Sequence, residues 1–319
     1  MRDGITLALS GGVGGAKLAL GLSRVLDSDK LTVVANTGDD FEHLGLYISP
    51  DVDTLLYTLA GINDPDTGWG RDKETWSCMT MFRKLGGETW FRLGDKDLGL
   101  HLYRTSRLNA GSKLSEVIEE LRHHLGIGAE LLPMCDQPVR TQVQTDQGTM
   151  EFQRYFVYAG CEPTVTGLRF AGADNAQATL RFSELLRGDT LRAIVICPSN
   201  PYLSIDPILA IPGIREAIER SPTPVVAVSP IVGGNALKGP TAKLMAELGV
   251  PVSADAVADH YGRLLDGFVL DETDAELAAS IESKGISCTV TRTVMKNLED
   301  RIQLAHSVLD FADRLRGVA

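Results

Sequence analysis

Five short regions, the second of them a pair of acidic turns, hold residues whose types and spacing suit phosphate chemistry. The first is Ser10-Gly11-Gly12-Val13-Gly14-Gly15-Ala16-Lys17. A glycine turn ahead of a helix exposes backbone N–H groups at the positive end of the helix dipole, which makes a cradle for an anion. Lys17 is followed by Leu18 rather than Ser or Thr, so the stretch is not a Walker-type P-loop. Lys17 also stands where GxGxxG needs its third glycine, which breaks the dinucleotide fingerprint. Gly11, Gly12, Gly14, Gly15 and Lys17 are the candidate nucleotide contacts; the alternative is a strand-to-helix turn without a ligand. Without the P-loop hydroxyl, a divalent metal serving this turn must be held by carboxylates. Asn36-Thr37-Gly38-Asp39-Asp40 and Ser49-Pro50-Asp51-Val52-Asp53-Thr54 supply them. Mg²⁺ takes oxygen ligands, usually one or two carboxylates plus substrate phosphates. Competing roles are helix capping by Asp51 or Asp53 ahead of a helix starting near Thr54, and a ribose contact from Asp39 or Asp40.

The third stretch, Trp90-Phe91-Arg92-Leu93-Gly94-Asp95-Lys96-Asp97-Leu98, sets charge beside aromatics. Arg92 suits a phosphate clamp or a stack on a planar ring; the plainer reading is a solvated turn with a surface ion pair. The fourth, Pro198-Ser199-Asn200-Pro201 with Ser204 beyond it, offers donors and acceptors for a base or ribose. The fifth, Ser229–Pro240, is a long loop of small residues carrying Lys238, a further candidate for phosphate. The six histidines show no HExxH spacing, and neither a GxSxG elbow nor a Cys–His signature is present.

These stretches need elements to position them. Ile5–Ser10 and Leu31–Ala35 are apolar runs that predict buried strands, with a helix over Ala16–Leu26 between them. Strand, glycine turn, helix, strand opens a parallel α/β sheet. Arg192–Cys197, Pro224–Ser229 and Gly267–Leu270 continue the pattern, and Asp300–Leu315 reads as an amphipathic helix. Residues 61–126 differ: they hold all three tryptophans and have helical spacing in Thr75–Leu85 and Leu114–Leu125. The division expected is a core of 1–60 and 127–319 with a mostly helical insert, 61–126. Ligands of open α/β sheets bind at the carboxyl edge of the strands, where four of the five stretches lie.

The chain's 319 residues and 23% charged composition are those of an ordinary globular protein. With 31 basic and 42 acidic residues the net charge is −11, which argues against a nucleic-acid partner. Cys78, Cys135, Cys161, Cys197 and Cys288 are odd in number and lack CxxC spacing, which argues against a disulfide framework or structural zinc. No apolar run approaches the roughly 20 residues of a membrane span, and no basic leader precedes the first strand, so a cytoplasmic protein is expected.

Taken in order, Ser10–Leu18, Asn36–Asp40, Ser49–Tyr57, Trp90–Leu98, Pro198–Pro207 and Ser229–Pro240 resemble the CofD/FbiA family, the 2-phospho-L-lactate transferases of deazaflavin coenzyme F-420 biosynthesis. The resemblance spans essentially the whole chain. It implies a Rossmann-like core, an insert that contributes to the deazaflavin site, a homodimer and a requirement for Mg²⁺. It implies transfer of a phospho-carboxylate unit (2-phospholactate, phosphoenolpyruvate or 3-phosphoglycerate) from a guanylylated donor to the deazaflavin alcohol Fo, releasing GMP. By the matching motifs, Asp53 would contact Fo and metal, with Asp40 as its partner, and Arg92 would contact Fo. The glycine turn, Ser199 and Asn200 would hold the guanosine diphosphate part. On this basis Asp53→Asn is expected to abolish turnover and leave the fold intact. A family of sugar-nucleotide-binding regulators of the gluconeogenesis-factor type shares the glycine turn and the acidic turn, and supplies the alternative, a non-catalytic binding protein.

Overall fold

The structure is a computed structural model that describes residues 4–317. In chain order the first half runs β1 (Ile5–Ser10), α1 (Gly12–Val25), β2 (Leu31–Ala35), β3 (Phe41–His43), β4 (Leu46–Ile48), α2 (Pro50–Ala60), α3 (Ser77–Lys84), α4 (Asp95–Asn109), α5 (Leu114–His124), β5 (Glu130–Pro133), β6 (Arg140–Thr145), β7 (Gly148–Glu151) and β8 (Val165–Ala171). The second half adds α6 (Leu180–Arg187), β9 (Leu191–Ile196), α7 (Asp206–Leu209), α8 (Ile214–Glu219), β10 (Val225–Val228), β11 (Ile231–Val232), β12 (Asn235–Ala236), α9 (Thr241–Glu247), α10 (Ala254–Tyr261), β13 (Gly267–Asp271), α11 (Ala278–Glu282), β14 (Ser287–Thr291) and α12 (Leu298–Leu315).

Seven strands form one parallel sheet in the order β14-β13-β10-β9-β1-β2-β5. This is the α/β, Rossmann-like arrangement expected. Both faces are covered, which is why the strands read as unbroken apolar runs. Alternate residues serve alternate layers: Leu7 and Leu9 pack with α6, α8 and α10, while Ala8 packs with α1, α2, α5 and α12. From β1 the chain moves outward through β2 to β5, then returns to β9 on the other side of β1 and moves outward again. The strand order therefore reverses between β1 and β9, and the crevice beyond their carboxyl ends is where such sheets take ligands.

Elements outside the sheet complete that crevice. Residues 61–126 carry α3, α4 and α5 and no strand of the sheet. Of these, α5 lies in the helical layer of the core through Val117, Ile118 and Leu121. Two features have no counterpart in the sequence-based expectation. One is the β3–β4 hairpin; the other is an antiparallel sheet, β7-β6-β8, inserted between β5 and β9. A third apolar cluster, separate from the two core layers, joins Phe41 and Ile48 of the hairpin to Met79 and Leu93.

Candidate functional site

A cavity of about 740 Å³ opens at the β1/β9 reversal. Its floor is the glycine turn. Helix α1 begins at Gly12, earlier than the apolar spacing suggests, so Gly12, Gly14 and Gly15 belong to its first turn. Close approach explains the glycines. A Cβ on Gly14 would lie 2.2 Å from the Pro198 carbonyl oxygen, and one on Gly11 would lie 2.3 Å from Asp51 Oδ2. Gly11 N–H donates to Ser199 Oγ at 3.1 Å, which ties the turns after β1 and β9 together. Gly11, Gly12, Gly14, Lys17, Ser199 and Asn200 all line the cavity, whereas Gly15 packs behind it against Ser10 and Ser199. The buried Asn200 Nδ2 has no hydrogen-bond partner, although its Oδ1 accepts from Tyr202 N and Leu203 N. An unsatisfied buried donor facing a cavity is what a ligand acceptor would complete.

The acids come from β2's exit and α2's first turn. Asp51 accepts from Gly12 N–H at 2.6 Å and from Asn36 Nδ2 at 2.9 Å. The same Asn36 amide donates to Asp39 at 3.2 Å, so two carboxylates converge on one neutral group. Burial, then Asp51 and Asp40, push the Asp39 carboxyl well up. Burial likewise lifts Asp51 to about 6. Neither forms an ion pair among the described residues, and the charge of Arg140 offsets the rise at Asp39 only in part. Two buried, mutually repelling carboxylates beside an anion cradle fit a divalent cation, which would relieve both the repulsion and the clash of charge with an incoming phosphate. The described residues form no ready group of three or more His, Cys, Asp or Glu ligands, so the remaining ligands would come from substrate oxygens and water.

Asp53 and Asp40 are held differently. Neither Asp51 nor Asp53 caps α2: the helix starts at Pro50, and both lie in its first turn. Asp53 lines the cavity but its carboxylate is gripped by the guanidinium of Arg104 from α4, through both amino nitrogens. Arg104 is fully buried, and His101 Nδ1 lies 3.6 Å from Asp53. Burial drops His101 to about 4, so it is neutral at pH 7 and the net pairing is Arg104 with Asp53. Asp40 does not line the cavity. It accepts from Ser49 Oγ at 2.6 Å and Tyr47 OH at 2.8 Å, and burial lifts it to about 7. The structure thus brings Asp39, Asp51 and Asp53 to the cavity and leaves Asp40 behind its wall. No expected role had been given to Asn36 or Arg104. The signal for Arg104 was in the sequence: Asp97, His101 and Arg104 recur at i, i+4 and i+7, a polar stripe on one face of α4.

The far wall is aromatic, formed by Trp90, Phe91, Phe152 and Phe156, with Phe41 and His43 packed behind it. Phe41 meets Phe91 edge-on at 4.8 Å, and His43 meets Trp90 edge-on at 5.0 Å. Phe152 and Phe156 stack at 5.4 Å with planes 10° apart. Arg154 lies over the Trp90 ring at 4.5 Å. Arg92 lines the cavity and, while exposed to solvent, stacks on Trp76 at 4.0 Å. His43 Nε2 and Trp90 Nε1 are buried with no hydrogen-bond partner. Burial, then Arg154, holds His43 below the usual imidazole range. At the rim, Lys238 donates to the Thr67 carbonyl, and Lys17 Nζ donates to the Met295 carbonyl at 3.0 Å. Burial, then Arg301 and Lys238, lower the Lys17 ammonium.

Comparison with known proteins gives the family. The sequence model of the family described as 2-phospho-L-lactate transferase CofD matches residues 6–303. The chain belongs to that family. It is 40% identical over 317 residues to a phosphoenolpyruvate transferase of Kitasatospora aureofaciens, covering 97% of this chain and 98% of that protein. It is equally 40% identical over 315 residues to a 2-phospho-L-lactate transferase of Methanopyrus kandleri, covering 97% and 98%. Membership in the CofD family makes the protein a transferase of the phosphoenolpyruvate or 2-phospholactate type. Among solved structures, a Bacillus halodurans member of the UPF0052 family superposes with a TM-score of 0.64 at 16% identity, covering 97% of this chain and 99% of that one, which shows the shared fold. No described helix is long and apolar enough to cross a membrane.

Proposed function

We propose that the protein transfers a phospho-carboxylate unit from a guanosine-diphospho donor to the primary hydroxyl of a deazaflavin alcohol, Fo, releasing GMP. What carries the reading is one continuous cavity with two chemically different ends. A glycine turn, acids and lysines lie at one end, and an aromatic wall with the unpaired Trp90 indole N–H lies at the other. The polar end suits a diphosphate, and the aromatic end suits a planar heteroaromatic ring. In the transfer, the acceptor oxygen bonds to the donor's carboxylate-bearing phosphorus while the bond to GMP breaks. Such transfers depend on positioning and charge neutralisation more than on covalent catalysis.

The roles follow from placement. The glycine turn, Lys17 and Ser199 hold the diphosphate, and Asn200 Nδ2 donates to the nucleotide. Trp90, Phe91 and Arg92 hold the ring of Fo. Asp39 and Asp51 would hold Mg²⁺ together with substrate oxygens, with Asp40 supporting the turn from behind through Ser49. Bound there, Mg²⁺ supplies neutralising charge at the diphosphate. Arg104 fixes the Asp53 carboxylate in orientation. A homodimer in the cytoplasm completes the reading.

The two relatives quoted are equally similar and are named for different donors, so identity does not choose between phosphoenolpyruvate and 2-phospholactate. The deciding experiment mixes purified protein, Mg²⁺ and Fo with each of three guanylylated donors: the phospholactate, phosphoenolpyruvate and 3-phosphoglycerate forms. Mass spectrometry of the deazaflavin is expected to show a new phosphodiester in one tube, which names the donor. No product in any tube overturns the proposal.

A further inference from the structure

We propose that Asp97 is the general base that takes the proton from the acceptor hydroxyl; this role rests on the transferase reading above. Four carboxylates line the cavity: Asp39, Asp51, Asp53 and Asp97. The first three are each held by partners. Asp51 accepts from Gly12 N–H and Asn36, Asp39 accepts from Asn36, and Asp53 is neutralised by Arg104. Asp97 differs. Its Oδ1 is buried with no hydrogen-bond partner, and it forms no ion pair among the described residues. A base needs such a free lone pair within reach of the proton it removes.

Its position fits the task. Asp97 lies in the first turn of α4, five residues after Arg92 and four before His101. The segment before it builds the aromatic end of the cavity, and the face after it builds the Asp53–Arg104 pair. The Tyr57 side chain faces both Asp53 and Asp97. Asp97 therefore stands at the junction of the two ends, where a ring-bearing alcohol must present its hydroxyl to the phosphorus. The groups facing it are Tyr57, Asp53, Glu74 and the Gly94 backbone amide. Burial outweighs the favourable Tyr57 and Gly94 contacts, Asp53 and Glu74 add repulsion, and the carboxyl rises to about 6. At pH 7 it is mostly ionised and matched to the work of a base.

The step balances. The acceptor oxygen forms its bond to phosphorus, its proton moves to Asp97 Oδ1, and the bond to GMP breaks with GMP keeping the electron pair. Asp97 then returns the proton to solvent.

Steady-state kinetics of full-length Asp97→Asn and Asp97→Glu with Mg²⁺, Fo and the active donor test the role. General bases contribute about 10²–10⁴-fold. The expected result is a fall in kcat of that size for Asp97→Asn, with KM for Fo and its fluorescence-measured affinity within about threefold of wild type. Asp97→Glu is expected to recover part of the lost rate. Below pH about 6 the wild-type kcat is expected to fall, and the contribution of Asp97 to that limb should vanish in the Asn variant. Unchanged kcat in Asp97→Asn overturns the proposal, as does an equal loss of kcat and Fo affinity, which would make Asp97 a binding residue. If Asp97→Asn does not melt cooperatively, Asp97→Glu decides: an acid limb at the wild-type position with a wild-type plateau overturns the role. A wild type that turns over while Asp97→Asn keeps pace condemns the base alone; a wild type inactive with all three donors condemns the transferase reading and the base with it.

Discussion

The two ends of the cavity are built by different means. The polar end is made almost wholly from the carboxyl ends of adjacent parallel strands. The turns after β1, β2 and β9 converge because β1 lies between β2 and β9, and hydrogen bonds such as Gly11 N–H to Ser199 Oγ lock them. The aromatic end is made of parts the sheet does not position: the β3–β4 hairpin, the loop before α4, and the turn near residue 155 beyond β7. It coheres through side-chain packing around Phe41, Trp90 and Phe91. A site divided in this way separates two demands. The rigid sheet edge fixes charge to within hydrogen-bond distances, while the aromatic wall can vary in shape without disturbing the fold. Arg104 joins them, since it reaches from α4 to Asp53 on α2.

That joint is where the largest effect is expected. Asp53→Asn leaves the fully buried Arg104 without its counter-charge. Removing one partner of a buried pair costs about 3–5 kcal/mol, so the variant is expected to lose both turnover and stability, measured by denaturant unfolding. This revises the expectation from sequence that the fold would be untouched. The double variant Asp53→Leu/Arg104→Met should regain most of the stability and none of the activity, because no charge is left stranded. A double variant no more stable than Asp53→Asn would show that the pair is not the link between the two ends.

Next in size is the sheet edge. Gly14→Ala sets a methyl group against the Pro198 carbonyl. Overpacking of this kind costs about 1–3 kcal/mol, and the displaced β9 turn should weaken nucleotide binding in calorimetry while leaving Fo affinity nearly unchanged. The aromatic end should respond in the opposite sense. Trp90→Ala removes edge contacts with His43 and Phe91 and the seat of Arg154. A loss of about 1 kcal/mol or somewhat more, or roughly tenfold in Fo affinity by fluorescence titration, is expected, with nucleotide binding unchanged. Equal losses of both ligands in either variant would break the division.

The smallest effect is in pH dependence. Asp51 is lifted to about 6 and Asp40 to about 7, both by burial. A carboxyl whose folded pKa is raised binds more protons folded than unfolded, so its contribution favours the fold below the window and is lost as pH rises through it. The metal-free protein is therefore expected to lose stability from these groups between pH about 4 and 7. Asp51→Asn should flatten that slope in thermal melts, and Mg²⁺ should raise the melting temperature more at pH 7.5 than at pH 5.

Much of the fold was legible from local pattern. Unbroken apolar runs mark β1, β2, β9, β10 and β13 because a sheet covered on both faces buries every residue of a strand. The glycine turn, Ser199 and Asn200 were legible as neighbours at one cavity because chain order in a parallel sheet brings strand ends to one edge. The Trp90–Leu98 stretch was legible as chemistry but not as a place, since nothing local says what its aromatics face. The hairpin Phe41–Ile48, the β7-β6-β8 sheet and the Phe152–Phe156 stack escaped notice, being short or alternating segments whose apolar residues bury only against distant partners.

The carboxylates show the boundary best. From sequence alone, Asp39, Asp40, Asp51 and Asp53 are four acids in two turns. Their types and their nearness to a glycine turn were enough to make them candidates for cation and phosphate chemistry, because the P-loop hydroxyl is missing and carboxylates would have to replace it. Which of them faces the cavity was decided by contacts across 3 to 51 residues: Asn36 gathers Asp39 and Asp51, Arg104 takes Asp53, and Ser49 and Tyr47 turn Asp40 away. Residue type sets what a group can do; burial and partners, which exist only once distant segments pack, set which group is free to do it.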